Sequence, residues 1–341
     1  MRRAVARVYA TVEDKPLFVV LLAAGATVGV AIALAAQAGW PRVLRVARAE
    51  HSWGWLVVCA IGEIVAYGGY MLTVRDMARV DDGSDIDLPT SAQTVVAGFG
   101  VFAATRSSGG FAVDYWAFRK SGASRREAVR RVLGLGLLEY VTLSVAALLA
   151  SLLLMFGLDG HFGLGGTLPG LIIVPAAFLG YWLTSPGRAH RLAHPRRDAG
   201  TVRKKFADWV GAAVFVRQLL VSPAEHGAGV VGNALYWAGD IVCLWAALQL
   251  VNVSISASLL VLAYSGGYVL TRRALPVGGA GVVECALTWA LIGVGVAFAP
   301  ALNAVLVYRL FNFWLPIVPA LALMPAVRDL RQRFERAEQA A

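Results

Sequence analysis

Residues 255–299, ISASLLVLAYSGGYVLTRRALPVGGAGVVECALTWALIGVGVAFA, consist of two apolar runs with a short polar segment between them. That segment carries two arginines, a proline and several glycines, and a glutamate opens the second run. Apolar runs of about 20 residues are long enough to cross a hydrocarbon core about 30 Å thick as helices. The stretch therefore predicts membrane-embedded helices with a broken segment between them.

The rest of the chain has the same apolar character. Of its 341 residues 58% are hydrophobic and 15% are charged, whereas a soluble domain carries about 25% charged residues. We predict an all-α, polytopic membrane protein with about 8 transmembrane helices in a single integral membrane domain, residues 1–341. The predicted spans are 17–38, 53–74, 132–156, 168–184, 228–250, 255–271, 282–299 and 302–324.

The Lys and Arg residues indicate the orientation of these spans. Cytoplasmic loops of membrane proteins are rich in Lys and Arg, which also accounts for the net charge of +10 without a nucleic-acid partner. Four such residues lie in 1–15, seven in 106–131 and seven in 188–205, but none lies in 157–167, 251–254 or 299–301. We therefore expect a multi-pass protein of the plasma membrane with both termini in the cytoplasm.

Two segments do not fit a simple count of spans. Residues 89–105 lie between two cytoplasmic segments, so we expect them to enter and leave the membrane on one side as a glycine-broken re-entrant hairpin. Irregular backbone at that depth must be buried in protein or line a cavity. Residues 39–52 are expected outside, yet they carry Arg42, Arg45 and Arg48. The spacing of these arginines predicts a short interfacial helix, and their charge argues against the topology.

The two halves of the chain resemble each other, which suggests an inverted repeat of residues 53–184 and 228–324. Each half reads as an apolar run, an arginine, a Gly-Gly pair and then a helix with a late arginine. Transporters built from inverted repeats place their sites where the broken segments of both halves meet. Between the halves we expect a basic cytoplasmic loop, 185–225, whose segment 205–221 forms an amphipathic interfacial helix.

The segment 272–284, RRALPVGGAGVVE, is the strongest candidate site. Proline ends the first helix because it lacks an amide hydrogen, and glycines let the backbone approach another group closely. The next helix begins with unpaired amides that can bind an anion, and arginine can bind two phosphate oxygens at once. Glu284 could hold an arginine in place or accept hydrogen bonds from a cationic headgroup. The alternative is a short cytoplasmic loop with ordinary positive-inside arginines.

An equivalent segment in the first half is expected to complete this site. The predicted lipid-binding residues are Arg106, Gly109, Gly110, Asp114, Arg272, Arg273, Pro276, Gly278, Gly279, Gly281, Glu284 and Arg309. Further ionisable residues, Glu63, Glu139 and Asp240, lie inside apolar spans, where a charge is costly unless it is paired or hydrated. We expect them to balance charge or relay protons, with a structural ion pair between packed helices as an equal alternative.

The sequence contains no catalytic signature. It lacks the GxxxxGK[ST] loop of ATP-hydrolysing proteins and has no HExxH or GxSxG arrangement. His190 and His194 stand four residues apart, but they lie in a basic loop broken by Pro195, with no acidic ligand pair nearby. We therefore expect neither enzymatic activity nor a metal or cofactor.

The C-terminal part, ALPVGGAGVVECALTWALIGVGVAFAPALNAVLVYRLFNFWLPIVPALA, resembles the closing motif of the lysylphosphatidylglycerol synthase transmembrane region family. In that family P-x-G-G-x-G-x-x-E is followed by an apolar helix, then by Y-R-L and an aromatic-rich helix that ends near proline. Here the pattern falls on Pro276, Gly278, Gly279, Gly281, Glu284, Tyr308, Arg309, Leu310 and Pro316. Residues 106–133 are similar to the family's first-half motif, although Ser107 and Ser108 stand where proline is usual.

Members of this family are often flippase-like, so the resemblance implies lipid handling. Bifunctional relatives carry a soluble domain that aminoacylates phosphatidylglycerol, and we expect the short tail after the last span to leave no room for it. The expected function is to move or bind an anionic phospholipid or a polyprenyl-phosphate lipid through a polar cavity between broken helices. The alternatives are an integral membrane enzyme, or an accessory subunit of a lipid-modifying synthase or glycosyltransferase. The lipid, the energy coupling and the oligomeric state stay open.

Overall fold

The computed structural model describes residues 16–81, 83, 85–104, 108–160, 163, 172–193, 200–272, 279–320 and 322, and within them the protein is built from helices. This confirms the all-α fold. The helices are α1 (Pro16–Ala38), α2 (Trp40–Arg48), α3 (Gly54–Arg79), α4 (Leu88–Ala104), α5 (Ser108–Lys120), α6 (Arg125–Met155), α7 (Ile173–Leu183), α8 (Pro186–Ala193), α9 (Thr201–Val221), α10 (Pro223–Leu250), α11 (Ala257–Arg272), α12 (Val282–Gly293) and α13 (Phe298–Arg309).

Long apolar helices confirm the membrane character of the chain. In the described residues, 5 helices are long and apolar enough to span a bilayer: Val20–Ala38, Gly54–Arg79, Arg125–Met155, Pro223–Leu250 and Phe298–Ala320. Within the described residues, the helices at three other predicted spans fall below that length. Helix α7 has 11 residues, α11 has 16 and α12 has 12. At about 1.5 Å per residue, α11 and α12 extend only about 24 and 18 Å, which is less than the thickness of the hydrocarbon core.

The short helices form two hairpins. Helix α4 packs against α5, and α11 packs against α12. The expected glycine break in 89–105 is wrong, because Gly98 and Gly100 lie inside the continuous helix α4 and the chain turns back only after Ala104. A helix tolerates interior glycine at a cost of only about 1 kcal/mol relative to alanine. The depth of this hairpin in the bilayer stays a prediction.

The order of long helix, hairpin and long helix occurs twice. Helices α3 to α6 form the first copy, and α10 to α13 form the second. At the centre, α3 and α10 run antiparallel, because Gly62 lies against Gly239 while Gly69 lies against Gly232. An antiparallel pair of equivalent helices is the arrangement expected of an inverted repeat. The boundaries predicted for the two halves, 53–184 and 228–324, each enclose one copy and stay predictions.

Helix α9 contains the predicted interfacial segment 205–221. It packs along α6 and α10 and buries one face that includes Ala207, Phe215 and Leu219. Its polar side carries Asp208, whose carboxylate lies 2.9 Å from the Nε atom of Arg126. The helix is therefore amphipathic and attached to the bundle, and its position at the membrane surface remains a prediction.

Candidate functional site

A buried ion pair joins the second hairpin to the last long helix. Arg309, at the end of α13, is 2% exposed, and its Nε atom donates to Oε1 of Glu284 at 2.9 Å. Glu284 lies in the first turn of α12 and is fully buried. Leaving either charge without its partner in such surroundings would be costly, so the pair ties α12 to α13.

Glu284 also organises the start of its own helix. Its Oε2 atom accepts a hydrogen bond from the amide of Gly281 at 2.7 Å, and Thr27 of α1 donates to Oε1 at 3.3 Å. Gly279 and Gly281 have φ values of 68° and 84°, a left-handed conformation that glycine adopts without strain. The sequence left open whether Glu284 holds an arginine, and the structure has it bound to Arg309. The Glu284 carboxylate thus accepts the hydrogen bond of one of the amides that the sequence suggested for binding an external anion.

Asp240, in the middle of α10, is the second buried acid of the network. It is 1% exposed, and its Oδ1 atom accepts hydrogen bonds from the Tyr308 hydroxyl at 2.9 Å and from Nδ2 of Asn312 at 2.7 Å. The hydroxyl of Tyr264, in α11, donates to Oδ2. Helices α10, α11 and α13 therefore converge on one carboxylate.

A π-helical segment, Leu310–Trp314, follows α13 and shapes this network. Its Asn312 accepts from Nη1 of Arg309 at 3.3 Å and donates to Asp240, so one amide bridges the arginine and the second acid. The guanidinium carbon of Arg309 lies 4.3 Å from the centre of the Phe313 ring, a cation–π contact. The wider turn of a π-helix is a frequent feature of functional sites.

The first hairpin reaches the same region through aromatic side chains. Phe99 of α4 lies 6.3 Å from Phe313 between ring centroids, and Tyr67 of α3 lies 5.7 Å from Phe99. Ala280, just before α12 in the second hairpin, packs against the same cluster of Phe313 and Ile317 as Phe99 does. This juxtaposition agrees with the expectation that broken segments of the two repeats come together.

The first half has a polar pair at positions equivalent to those of the network. Asp114 of α5 is 4% exposed and accepts from the Tyr70 hydroxyl at 3.2 Å. Asp114 precedes Glu284 by 170 positions, and Tyr70 precedes Asp240 by the same number. Glu139 likewise precedes Arg309 by 170 positions. Equivalent places in the two repeats therefore carry different polar groups.

The remaining predicted residues lie at different distances from the network. Glu139 is buried in α6, and its backbone carbonyl accepts from Nε1 of Trp237 at 2.9 Å. Glu63 is buried in the central helix α3, one residue from the close contact at Gly62. Arg106, Arg273, Pro276 and Gly278 lie outside the described residues, and only the backbone is described for Gly109, Gly110 and Arg272.

Several polar partners were missed by the sequence-based prediction. Asn312 stood in an apolar run three residues after Arg309, and a polar group in such a span is itself a signal of function. The hydroxyl groups of Thr27 and Tyr264 gave no comparable signal, because such residues are common in apolar helices, and Tyr308 stood out only as part of the Y-R-L element. Only the packing of distant helices brings them to the two acids.

Outside the spans, one acid positions the start of the second hairpin. Oδ2 of Asp159 accepts from the amide of Ser258, in the first turn of α11, at 2.8 Å. Hydrogen bonding by the side chain and the amide of Ser258 lowers the pKa of Asp159. The described residues contain no group of three or more His, Cys, Asp and Glu side chains that could hold a metal ion.

Comparison with known proteins identifies the family of the chain. No curated protein matches it. A family model described as the lysylphosphatidylglycerol synthase TM region matches residues 18–320, which includes both repeats, both hairpins and the buried network. Such a match over most of the chain agrees with its long apolar helices and points to a membrane protein related to lipid metabolism. The protein belongs to the lysylphosphatidylglycerol synthase transmembrane region family.

Proposed function

We propose that the protein is a flippase-like transporter that binds the phosphate of an anionic phospholipid or a polyprenyl-phosphate lipid and moves it across the membrane. The observation that carries the proposal is the buried pair of Arg309 and Glu284, next to the Phe313 and Ile317 cluster against which both hairpins pack. Ionisable residues held inside a membrane protein are costly there and mark substrate pathways and proton relays in pumps and transporters.

The proposed step is an exchange of anions on Arg309. A lipid phosphate would replace Glu284 at the guanidinium, which can bind two oxygens at once. Glu284 would keep its hydrogen bond to the Gly281 amide and so remain partly compensated. Arg272 and Arg273, near the turn of the same hairpin, would add positive charge along the path, and Arg106 would do so from the first half. Glu63, Asp114, Glu139 and Asp240 would balance charge or carry protons.

The inverted repeat supports movement between two states. In transporters of this architecture, one repeat rocks against the other around a central site and opens it to each side in turn. Here α3 and α10 are in backbone contact at the centre, and each carries its own hairpin. We propose that the two hairpins open alternately towards the two leaflets.

A reconstituted lipid-translocation assay tests this proposal. The purified chain is placed in liposomes with fluorescent phosphatidylglycerol, and the protected fraction is measured after an impermeant quencher is added. Arg309→Gln removes the charge and should slow translocation about tenfold or more, since a charged hydrogen bond contributes about 1.5–3 kcal/mol. Arg126→Gln is the matched control, because Arg126 also pairs with an acid at 2.9 Å but is half exposed. Full activity of folded Arg309→Gln on every lipid tried would contradict the proposal.

The same preparation separates transport from the other functions. Release of phosphate or transfer of a sugar by the purified chain would instead identify an enzyme. Activity that appears only with a co-expressed synthase or glycosyltransferase would indicate an accessory subunit. We propose the plasma membrane as the location, with both termini in the cytoplasm, and an impermeant label on each terminus in intact cells tests that orientation.

A further inference from the structure

Helix α2 carries a row of exposed arginines. Arg42, Arg45 and Arg48 lie on one side of this nine-residue helix, whereas Val43 on the opposite side is buried. The Nδ2 atom of Asn303 donates to the carbonyl of Val43 at 3.4 Å and attaches α2 to the start of α13. Within the described part of the chain, no ion pair joins these arginines to an acidic side chain. Their charge is therefore available to a ligand.

The position of α2 in the bundle places it at the outer end. His51, just after α2, lies 2.7 Å through Nδ1 from the carbonyl of Leu250, where α10 ends. The basic segments, including the start of α6 at Arg125 and Arg126, lie at the opposite end of the long helices. With the basic segments in the cytoplasm, as in the orientation proposed above, α2 faces the outside. Three arginines on that side are an exception to the rule and require a local reason.

Exposed apolar side chains flank the arginine row. Trp40 is 44% exposed, Leu44 is 42% exposed and Trp53 is 68% exposed. Tryptophan is enriched at the level of lipid headgroups, and a short amphipathic helix with a basic face is typical of the membrane interface. The apolar residues would contact acyl chains while the arginines lie at the depth of the phosphates.

We propose that α2 is a binding site for the phosphate headgroups of anionic lipids in the outer leaflet. The shape and charge of the site suit one occupant, since each guanidinium can bind two phosphate oxygens and the flanking tryptophans keep the helix at headgroup depth. This site is separate from the buried Arg309–Glu284 pair. It goes beyond the proposed function, because it concentrates anionic lipid beside the protein whether or not the lipid is translocated.

Energy transfer to a dye on α2 measures the local lipid composition. The full chain carries Ala47→Cys for the dye and Cys285→Ser, because Cys59 and Cys243 are fully buried and do not compete for the label. Nanodiscs of phosphatidylcholine contain a trace of donor-labelled phosphatidylglycerol, or of phosphatidylcholine with the same donor on its acyl chain. We expect phosphatidylglycerol to be enriched at α2 about threefold or more, given the attraction of each arginine to an anionic surface.

Charge variants decide whether the arginines cause the enrichment. The measured ratio is the energy transfer from labelled phosphatidylglycerol divided by that from labelled phosphatidylcholine. The triple variant Arg42→Gln, Arg45→Gln, Arg48→Gln should bring this ratio close to one, and the corresponding triple change to Lys should keep most of the enrichment. The control Arg203→Gln, Lys204→Gln, Lys205→Gln removes the same charge from an exposed region at the cytoplasmic end of the bundle, at the start of α9, and should leave the ratio unchanged.

Four results would overturn the inference. The first is equal transfer from both lipids in the unmutated chain, and the second is undiminished enrichment in the triple Gln variant. The third is protection of the Ala47→Cys thiol from an impermeant maleimide in intact cells, which would put α2 inside. Binding of soluble heparin to α2 without lipid enrichment would assign the arginines to a soluble acidic partner and would also refute it. None of these measurements records translocation, so a result that refutes lipid binding at α2 does not refute the proposed transport.

Discussion

The antiparallel contact of α3 and α10 predicts that alanine is damaging at its glycines. An ideal Cβ atom on Gly62 would lie 2.6 Å from the carbonyl oxygen of Gly239 and 3.1 Å from the amide nitrogen of Cys243. On the other helix, a Cβ atom on Gly232 would lie 2.5 Å from the oxygen of Gly69. Carbon and carbonyl oxygen approach each other to about 3.3–3.6 Å. The two helices would therefore have to separate by about 1 Å.

The size of the effect follows from this displacement. Overpacking of a close-packed interior costs about 1–3 kcal/mol, and here the clashing atoms belong to backbone, which cannot rotate away. Gly68 lies in the same helix, yet nothing stands within 4 Å of its Cβ position. Gly68→Ala should therefore gain the helix propensity of alanine, about 0.5–1 kcal/mol. Gly62→Ala and Gly232→Ala gain the same propensity, so they should differ from Gly68→Ala by the overpacking cost alone, about 1–3 kcal/mol.

Thermal unfolding in one detergent measures this difference. Gly62→Ala and Gly232→Ala should lower the midpoint relative to Gly68→Ala by several degrees, at about 2 °C per kcal/mol for a chain of this size. Tryptophan fluorescence can follow the transition, because Trp237 and Trp245 lie on α10. If Gly62→Ala and Gly232→Ala unfold at the temperature of Gly68→Ala, then α3 and α10 do not pack backbone to backbone as described.

Further predictions address the helix ends, the hairpins and pH. Arg131→Met should lower the free energy of unfolding by about 3 kcal/mol, because Arg131 donates to the carbonyls of Met77, Ala78 and Val80 at the end of α3, and denaturation measures it against exposed Arg125→Met. Asp159→Asn should weaken the start of α11 by about 1 kcal/mol. Since the pKa of Asp159 is lowered in the folded state, its contribution to stability is present above about pH 4 and is lost as the pH falls through that lowered pKa. The unfolding midpoints of Asp159→Asn and the unmutated chain should therefore converge only at acidic pH. Convergence already at neutral pH would contradict this role. Leu88→Cys and Lys120→Cys should react with an impermeant maleimide from the cytoplasm, whereas Ala257→Cys and Gly293→Cys should react from outside; labelling of the two ends of one hairpin from opposite sides would refute the re-entrant arrangement.

Local composition was sufficient to predict the class of the fold and several site residues. Hydropathy is a property of each segment by itself, so the long apolar helices and the all-α architecture were predictable from the runs. Arg309, Glu284 and Asp240 stood out because charge inside an apolar run is expensive and needs a reason. The same local view failed for 89–105, where glycines suggested a break but the helix is continuous.

The partners of these charges depend on the tertiary structure. Thr27 and Glu284 are 257 positions apart, and no periodicity in the chain connects them. The bridge through Asn312 requires the π-helical turn at Leu310–Trp314, which shifts the register of the last helix. By itself the sequence determined which segments are apolar enough to enter a membrane and which of their residues are costly there, because both follow from the transfer of single groups out of water. Only the packing of the helices decided which groups compensate each other, since hydrogen bonds and ion pairs require atoms to meet at about 3 Å.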